Sequence, residues 1–156
     1  VAFFFFFFLQ KLFPKSEKCN CYYLSNISQD SVAEVEILAG ACMLLRKSVL
    51  DEVGLLDETY FLYGEDVDIS YRILQAGYKN YYFPETSIIH LKGASTKKLE
   101  AKSVREFYRS MEIFCERHFT EYNRLFLLFV KLGINVRMAF AMLGLFVRKL
   151  FAKKRC

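Results

Sequence analysis

The C-terminal segment most constrains the fold, because from Arg124 to the end the chain carries eight Lys or Arg residues and no Asp or Glu. The rest of the chain holds 14 basic and 17 acidic residues, so a mildly acidic domain is joined to a cationic, apolar tail. The apolar pattern predicts a pair of helices after residue 121, bent near Gly133 and Asn135.

Residues 138–147 provide ten apolar positions between two arginines, which are too few to span a bilayer unaided. We therefore expect the tail to lie as an amphipathic helix at an anionic membrane surface. The alternative is a pair of buried helices that pack on a partner domain. The combination of charge and apolarity favours a membrane surface over nucleic acid as the partner.

Composition divides the chain into three segments, 1–34, 35–120 and 121–156. The first begins "VAFFFFFFLQ" and has neither the basic start nor the small-residue cleavage site of a signal peptide. We interpret it as the truncated or corrupted edge of a longer chain, followed by a loop. The alternative is a short apolar helix or strand that docks elsewhere. The chain is 54% hydrophobic and 17% aromatic, which excludes a disordered protein. Its five cysteines have no framework spacing and favour a reducing compartment.

Hydrophobic periodicity places alternating strands and helices in the middle segment, as in an α/β protein. The patterns predict a strand over 35–45, helices over 46–54, 65–77 and 98–119, and short strands within 78–84 and 86–91. The strand over 35–45 contains Gly40, where we expect another group to approach the backbone closely.

Three carboxylates, Glu65, Asp66 and Asp68, stand in four positions at the start of a predicted helix. Free backbone N–H groups at a helix N-terminus favour acidic side chains, so the cluster needs no function. Asp68 and Arg72 are four residues apart on the same predicted helix and predict a structural ion pair.

His90 follows an apolar pair and precedes the loop "LKGAST", which is rich in small residues and flanked by lysines. A histidine at a strand end beside such a loop can meet a metal ion or a phosphate. The alternative is a capped histidine with no ligand. We expect Asp66 and His90 to share one cleft, with the loop 93–96 on its rim. The second histidine, His118, is predicted to lie on a helix far from this motif.

An ordered series of motifs over residues 40–96 resembles the C-terminal half of the catalytic domain in family 2 inverting glycosyltransferases, most closely those of the rhamnosyltransferase type. The motifs are "GACMLL", "VGLLDETYF", "YGEDVDISYR", "AGY", "YYFP" and "IIHLKGAS". The resemblance implies an α/β fold, the C-terminal portion of a GT-A nucleotide-sugar transferase domain with a mixed sheet, followed by C-terminal amphipathic helices. It makes residues 35–120 the acceptor-side half of that domain.

The resemblance also implies roles for individual residues. Asp66 is the expected catalytic base, with Glu65 supporting it or contacting the acceptor. His90 is the expected ligand of a divalent metal, Mn²⁺ or Mg²⁺. The remaining implied contacts are the donor diphosphate for Gly93, Ser95 and Lys97, and the acceptor side for Gly40, Ala41, Asp57 and Glu58. For Asp57 and Glu58 a loop-capping role is the alternative.

The implied function is transfer of a sugar, with inversion, from a nucleotide-sugar donor to a cell-surface polysaccharide or lipid-linked glycan. The family likeness favours dTDP-rhamnose as donor and the cytoplasmic face of a bacterial inner membrane, peripherally bound, as location. No Asp-x-Asp motif precedes Asp66. We therefore expect the nucleotide-binding half to be missing and the chain to be inactive alone. The alternatives are a non-enzymatic, membrane-associated interaction module and, more weakly, a metal-dependent phosphate hydrolase.

Overall fold

The computed structural model of the chain describes residue 28, residues 30–90 and residues 100–153, without the side chains of 152 and 153. In chain order the elements are β1 (Ala33–Val35), α1 (Lys47–Val53), α2 (Glu65–Gln75), β2 (Asn80–Tyr82), α3 (Glu100–His118) and α4 (Arg124–Lys153). The helices predicted over 46–54, 65–77 and 98–119 are therefore confirmed, as is a strand within 78–84.

Backbone contacts separate the chain into two units. One comprises residues 1–35 and 81–88, and the other comprises 36–80 and 89–156. Strands β1 and β2 pair in a two-stranded sheet, which belongs to the first unit except for Asn80. The described residues are thus of mixed helix and strand content, with few strands. The helices α1–α4 belong to the second unit.

The strand predicted over 35–45 is wrong beyond Val35, because residues 36–46 have no strand conformation. Side chains satisfy the backbone groups of this segment in place of a neighbouring strand. Asn80 Nδ2 donates to the Glu36 carbonyl at 2.8 Å, and the Leu38 N–H donates to Ser70 Oγ at 3.2 Å. The described part of the predicted strand over 86–91, residues 86–90, is likewise irregular.

The core of the second unit is formed where α1 packs against α2. Val49 of α1 meets Ile69 and Ile73 of α2, and Ile69 is completely buried. Partly buried side chains surround these three: Met43, Leu45, Leu50 and Val53. Burying one such aliphatic side chain contributes roughly 1.5–3 kcal/mol, so this contact fixes the orientation of α2.

The start of α2 has an uncommon backbone conformation. Tyr63 and Gly64 both have positive φ, at 69° and 92°. A Cβ on Gly64 would lie 2.9 Å from Ser110 Cβ of α3 and 3.0 Å from Tyr60 Cδ1. Glycine therefore allows the first turn of α2 to approach α3 closely.

Helices α3 and α4 form an antiparallel hairpin. Glu100 at the start of α3 pairs with Arg148 near the end of α4 at 2.6 Å, whereas Glu116 near the end of α3 pairs with Lys131. Lys149 lies 3.8 Å from the same Glu100 carboxylate. The acidic residues of α3 thus meet three of the cations of the tail.

The predicted bend in the tail is wrong, because α4 is one helix of 30 residues. Asn135 Nδ2 donates to the Lys131 carbonyl within the helix and to Glu112 of α3. Gly133 costs about 1 kcal/mol in a helix, which the hairpin contacts offset. The expectation that the apolar stretch is too short to span rested on its interruption by Lys131, Asn135 and Arg137. The segment Arg124–Phe151 has the length and composition needed to cross a membrane.

The side of α4 away from α3 is apolar and exposed, and we call it the outer face. Only 6% of the most apolar 18-residue stretch of this helix is buried. The exposed side chains recur at three- and four-residue spacing: Leu125, Leu128, Phe129, Leu132, Val136, Phe140, Leu143, Phe146, Val147 and Leu150. The amphipathic helix predicted from the sequence is therefore present, but three of its cations, Lys131, Arg148 and Lys149, pair with α3.

Candidate active site

Asp66 lies in the first turn of α2 and is held by backbone donors. Its Oδ2 accepts the Gly40 N–H at 2.8 Å, and its Oδ1 accepts the Val67 N–H at 2.9 Å. A Cβ on Gly40 would lie 3.2 Å from Asp66 Cβ, so the close approach expected at Gly40 is present. The side chain is only partly buried. Asp66 is therefore a positioned carboxylate with lone pairs still available to another donor.

Glu65, the first residue of α2, is partly buried. Its Oε2 is buried and accepts no hydrogen bond from the residues that the structure describes. A buried carboxylate oxygen without a donor costs free energy. Glu65 thus offers an acceptor to a hydroxyl or N–H group from outside these residues.

Asp68 lies two residues after Asp66 and is almost completely buried, with 1% of its surface exposed. Its Oδ2 accepts the Arg72 Nε–H at 2.8 Å, so the predicted ion pair forms. Its Oδ1 lies 2.6 Å from His118 Nε2 and accepts the Tyr60 hydroxyl at 3.4 Å. We call these four side chains the Asp68 cluster. Asp68 and Tyr60 are buried, and Arg72 and His118 are partly buried, so the cluster lies mainly in the interior.

His118 contradicts the prediction that it lies far from the acidic motif. It ends α3, and α3 returns to α2 so that the imidazole reaches Asp68. The ring also packs against Tyr71 and Phe114, with centroid distances of 4.7 and 4.6 Å. No local pattern announces this contact, because the two residues are 50 positions apart.

Burial raises the pKa of Tyr60, which belongs to this cluster, and of the nearby Cys115. Burial, reinforced by the Asp68 carboxylate, raises the pKa of Tyr60 well above its usual range. Burial also raises the pKa of the Cys115 thiol to about 11. Both groups therefore stay neutral at physiological pH.

Asp57 occupies a loop-capping geometry. Its Oδ1 accepts the Thr59 N–H at 2.9 Å and the Thr59 hydroxyl at 2.8 Å. Its carboxylate also pairs with Arg117 of α3. Glu58 and Ala41 are exposed. Of the four residues predicted for the acceptor side, Gly40 is thus the one with a recorded contact to Asp66.

Of the residues predicted to bind metal and diphosphate, the structure describes one. His90 is described and exposed, whereas Gly93, Ser95 and Lys97 fall outside the described residues. Within 28, 30–90 and 100–153, no three His, Cys, Asp or Glu side chains are grouped so as to hold a metal ion. The described residues therefore do not by themselves form a site for a divalent metal.

Comparison with known proteins identifies a family and its relatives. A sequence profile described as "Glycosyltransferase like family 2" matches residues 12–109. The chain is 39% identical over 82 residues to N-acetylglucosaminyl-diphospho-decaprenol L-rhamnosyltransferase of Mycobacterium tuberculosis, covering 52% of this chain and 27% of the relative. It is 33% identical over 85 residues to Rhamnosyltransferase WbbL of Escherichia coli, covering 54% and 31%. No solved structure matches. The chain thus spans less than a third of these relatives.

Proposed function

The chain belongs to glycosyltransferase family 2, whose membership implies the GT-A fold, and from this we propose that residues 35–120 form the acceptor-side half of a sugar-transfer domain. The observation that carries the proposal is the Asp66 carboxylate, held at a partly exposed helix start by the Gly40 amide. Similarity to two rhamnosyltransferases supports a rhamnosyl donor such as dTDP-rhamnose.

Asp66 is the proposed general base. The acceptor hydroxyl oxygen forms a bond to the anomeric carbon as the bond from that carbon to the nucleoside diphosphate breaks. The hydroxyl proton passes to Asp66, which must lie within about 2.6–3.2 Å of it. Two amide donors fix the direction of the carboxylate in advance, which saves reorganisation during transfer. The orphan Glu65 Oε2 is the proposed acceptor for a second hydroxyl of the same sugar.

The acceptor class follows from one relative, whose name specifies a diphospho-decaprenol glycan. We propose a polyprenyl-diphosphate-linked sugar as acceptor and growth of a cell-surface polysaccharide as the outcome. The nucleotide-binding residues would lie outside these 156 residues, and the isolated chain would not transfer sugar. Coverage of under a third of each relative supports this division.

The experiment measures rhamnose transfer from dTDP-rhamnose to a polyprenyl-diphosphate-GlcNAc acceptor by mass spectrometry. It compares the 156-residue chain, the chain joined to the upstream sequence of its locus, and the joined protein with Asp66→Asn. We expect activity only in the joined form and a fall of at least about 100-fold with Asp66→Asn. Asp51→Asn is the matched control, because Asp51 is exposed and its ion pair is with Lys47, also on the surface. Equal activity of the Asp66→Asn and Asp51→Asn proteins would exclude Asp66 as the base.

A lipid-linked acceptor requires the protein to reach a bilayer, and the outer face of α4 is the proposed attachment surface. The proposed location is the cytoplasmic face of the inner membrane, bound peripherally. Because Lys131, Arg148 and Lys149 pair with α3, apolar contact is expected to contribute more than attraction to anionic lipid. In a flotation assay, the wild-type chain should float with neutral phosphatidylcholine vesicles. The Phe140→Glu protein should not. Binding that appears only with anionic vesicles would contradict this account.

The non-enzymatic alternative keeps the membrane surface and discards the chemistry. It predicts vesicle binding by the chain but no transfer by the joined protein under any donor. The two experiments above therefore separate it from the glycosyltransferase proposal.

A further inference from the structure

We propose that His118 is a positioning residue: through Asp68 it holds helix α2 in the register at which Asp66 meets the Gly40 amide. The value of that register for sugar transfer rests on the proposed function. The contact itself rests on the structure alone.

The imidazole is well placed to fix a carboxylate. His118 Nε2 lies 2.6 Å from Asp68 Oδ1, in the range of a strong, charge-assisted hydrogen bond. The rings of Tyr71 and Phe114 pack against the imidazole and restrict its rotation. Because Asp68 carries the charge and is 1% exposed, the bond is poorly screened by water.

Asp68 joins three helices through its two oxygens. Its Oδ2 accepts from Arg72 Nε–H. The Arg72 guanidinium in turn donates to the Leu55 carbonyl at 2.8 Å and to the Val53 carbonyl at the end of α1. Through Oδ1, His118 connects Asp68 to α3. Removing the imidazole therefore leaves α2 tied to α1 and removes the hydrogen bond from Asp68 to α3.

The first turn of α2 is the part that depends on α3. Gly64, just before Glu65, lies against Ser110 of α3, and the Asp66 side chain reaches back to Gly40. Asp66 and Asp68 share one helical turn, so a shift of that turn relative to α3 changes the distance from the Asp66 carboxylate to the Gly40 N–H. The Gly40 amide is thus a local reporter of the action of His118.

The test measures hydrogen exchange and the proton chemical shift of the Gly40 amide by NMR, in the 156-residue chain in detergent. His118→Phe keeps an aromatic ring between Tyr71 and Phe114 but has no donor. His118→Gln restores a donor, and Arg109→Gln is the control on the exposed side of α3. We expect exchange at Gly40 to rise at least about tenfold in His118→Phe, and to stay within about threefold of wild type in His118→Gln and Arg109→Gln. Unchanged Gly40 exchange in a folded His118→Phe protein would overturn the proposal.

A measurement on the wild-type chain keeps the proposal testable if His118→Phe does not fold. The Asp68 carboxylate accepts, so His118 Nε2 must carry a proton. Imidazole nitrogen shifts should show Nε2 protonated at neutral pH, and an unprotonated Nε2 would overturn the proposal. Neither readout needs a sugar donor. A failed transfer assay with these results intact would reject the proposed function alone, whereas active enzyme with an unaffected Gly40 amide would reject the role of His118 alone.

Discussion

The two ends of the acidic motif have the same side chain and opposite surroundings. Asp66 is partly exposed and is held by backbone N–H groups, one of them from Gly40. Asp68 is buried and is held by side chains from the preceding loop, its own helix and α3. Residues two apart on a helix point about 200° from each other, so one helix supplies both environments. The comparison separates two carboxylates by burial and donor type: Asp66, the proposed base, is held by backbone amides, and Asp68 is held by side chains.

The largest effect is expected from removing the buried carboxylate. Asp68→Ala leaves Arg72 and His118 without their partner, which should lower the free energy of unfolding by about 3–5 kcal/mol. Urea denaturation measures the loss. Asp51→Ala is the control, because its pair with Lys47 is exposed and worth about 1 kcal/mol or less. Equal losses in the two variants would break the contrast between buried and exposed aspartates.

The close approach of α2 to α3 predicts a smaller but specific loss. Gly64 and Gly77 both have positive φ, 92° and 84°, but a Cβ meets Ser110 at 2.9 Å only at Gly64. Gly64→Ala should cost about 2–4 kcal/mol through backbone strain and overpacking, and Gly77→Ala about 1 kcal/mol through strain alone. Thermal unfolding compares them. A Gly77→Ala protein that is the less stable of the two would show that α2 does not depend on that contact.

The buried Cys115 thiol predicts that the folded protein loses stability at alkaline pH. Burial raises the pKa of Cys115 from 9.0 to about 11, so the folded protein holds a proton that the unfolded chain releases. The resulting stabilisation is complete below pH 9 and is lost as pH rises towards 11. The urea midpoint should therefore fall across this window, and fall less in Cys115→Ala. Parallel profiles would contradict a contribution from the thiol. Tyr60, Tyr78 and Lys131, whose pKa values are also raised, contribute to the remaining slope.

The smallest effect on stability is expected on the exposed side. Gly40→Ala places a Cβ 3.2 Å from Asp66 Cβ, which requires a displacement of a few tenths of an ångström. The free energy of unfolding should change by about 1 kcal/mol or less, because the lower entropy of the unfolded chain offsets the tight contact. Transfer by the joined protein should nevertheless fall several-fold, since Asp66 is displaced. A Gly40→Ala protein that loses stability but keeps its transfer activity would show that the Gly40–Asp66 contact serves stability rather than transfer.

Local sequence patterns predicted the parts of the fold that depend on local interactions. The helices at 47–53, 65–75 and 100–118 follow apolar periodicity and glycine stops, and the Asp68–Arg72 pair follows four-residue spacing. The same spacing could not show that Asp68 is buried, because an ion pair has one pattern on a surface and in an interior. His118 was misplaced because its contact depends on how α3 packs.

Two errors have a common physical origin, which is that side chains replaced the expected backbone partners. An apolar, β-branched run over 35–45 resembles a strand, but Ser70 and Asn80 satisfy its backbone while its side chains pack on α1 and α2. Gly133 and Asn135 resemble a helix break, but the Asn135 amide is used between α3 and α4. Neither substitution of partners is visible without the tertiary contacts.

The half-turn between the two aspartates limits which insertions the chain tolerates. Ile69 and Ile73 anchor α2 in the core, so a residue inserted between Asp66 and Asp68 would leave that anchor and rotate only the first turn, by about 100°. Asp66 would then turn away from Gly40 while the core stayed intact. An extra residue after the exposed Leu56 would lie beyond the Leu55 carbonyl that Arg72 contacts and would leave both carboxylates in place. The spacing of one residue within "DVD" therefore encodes more of the site than the length of the loop before it.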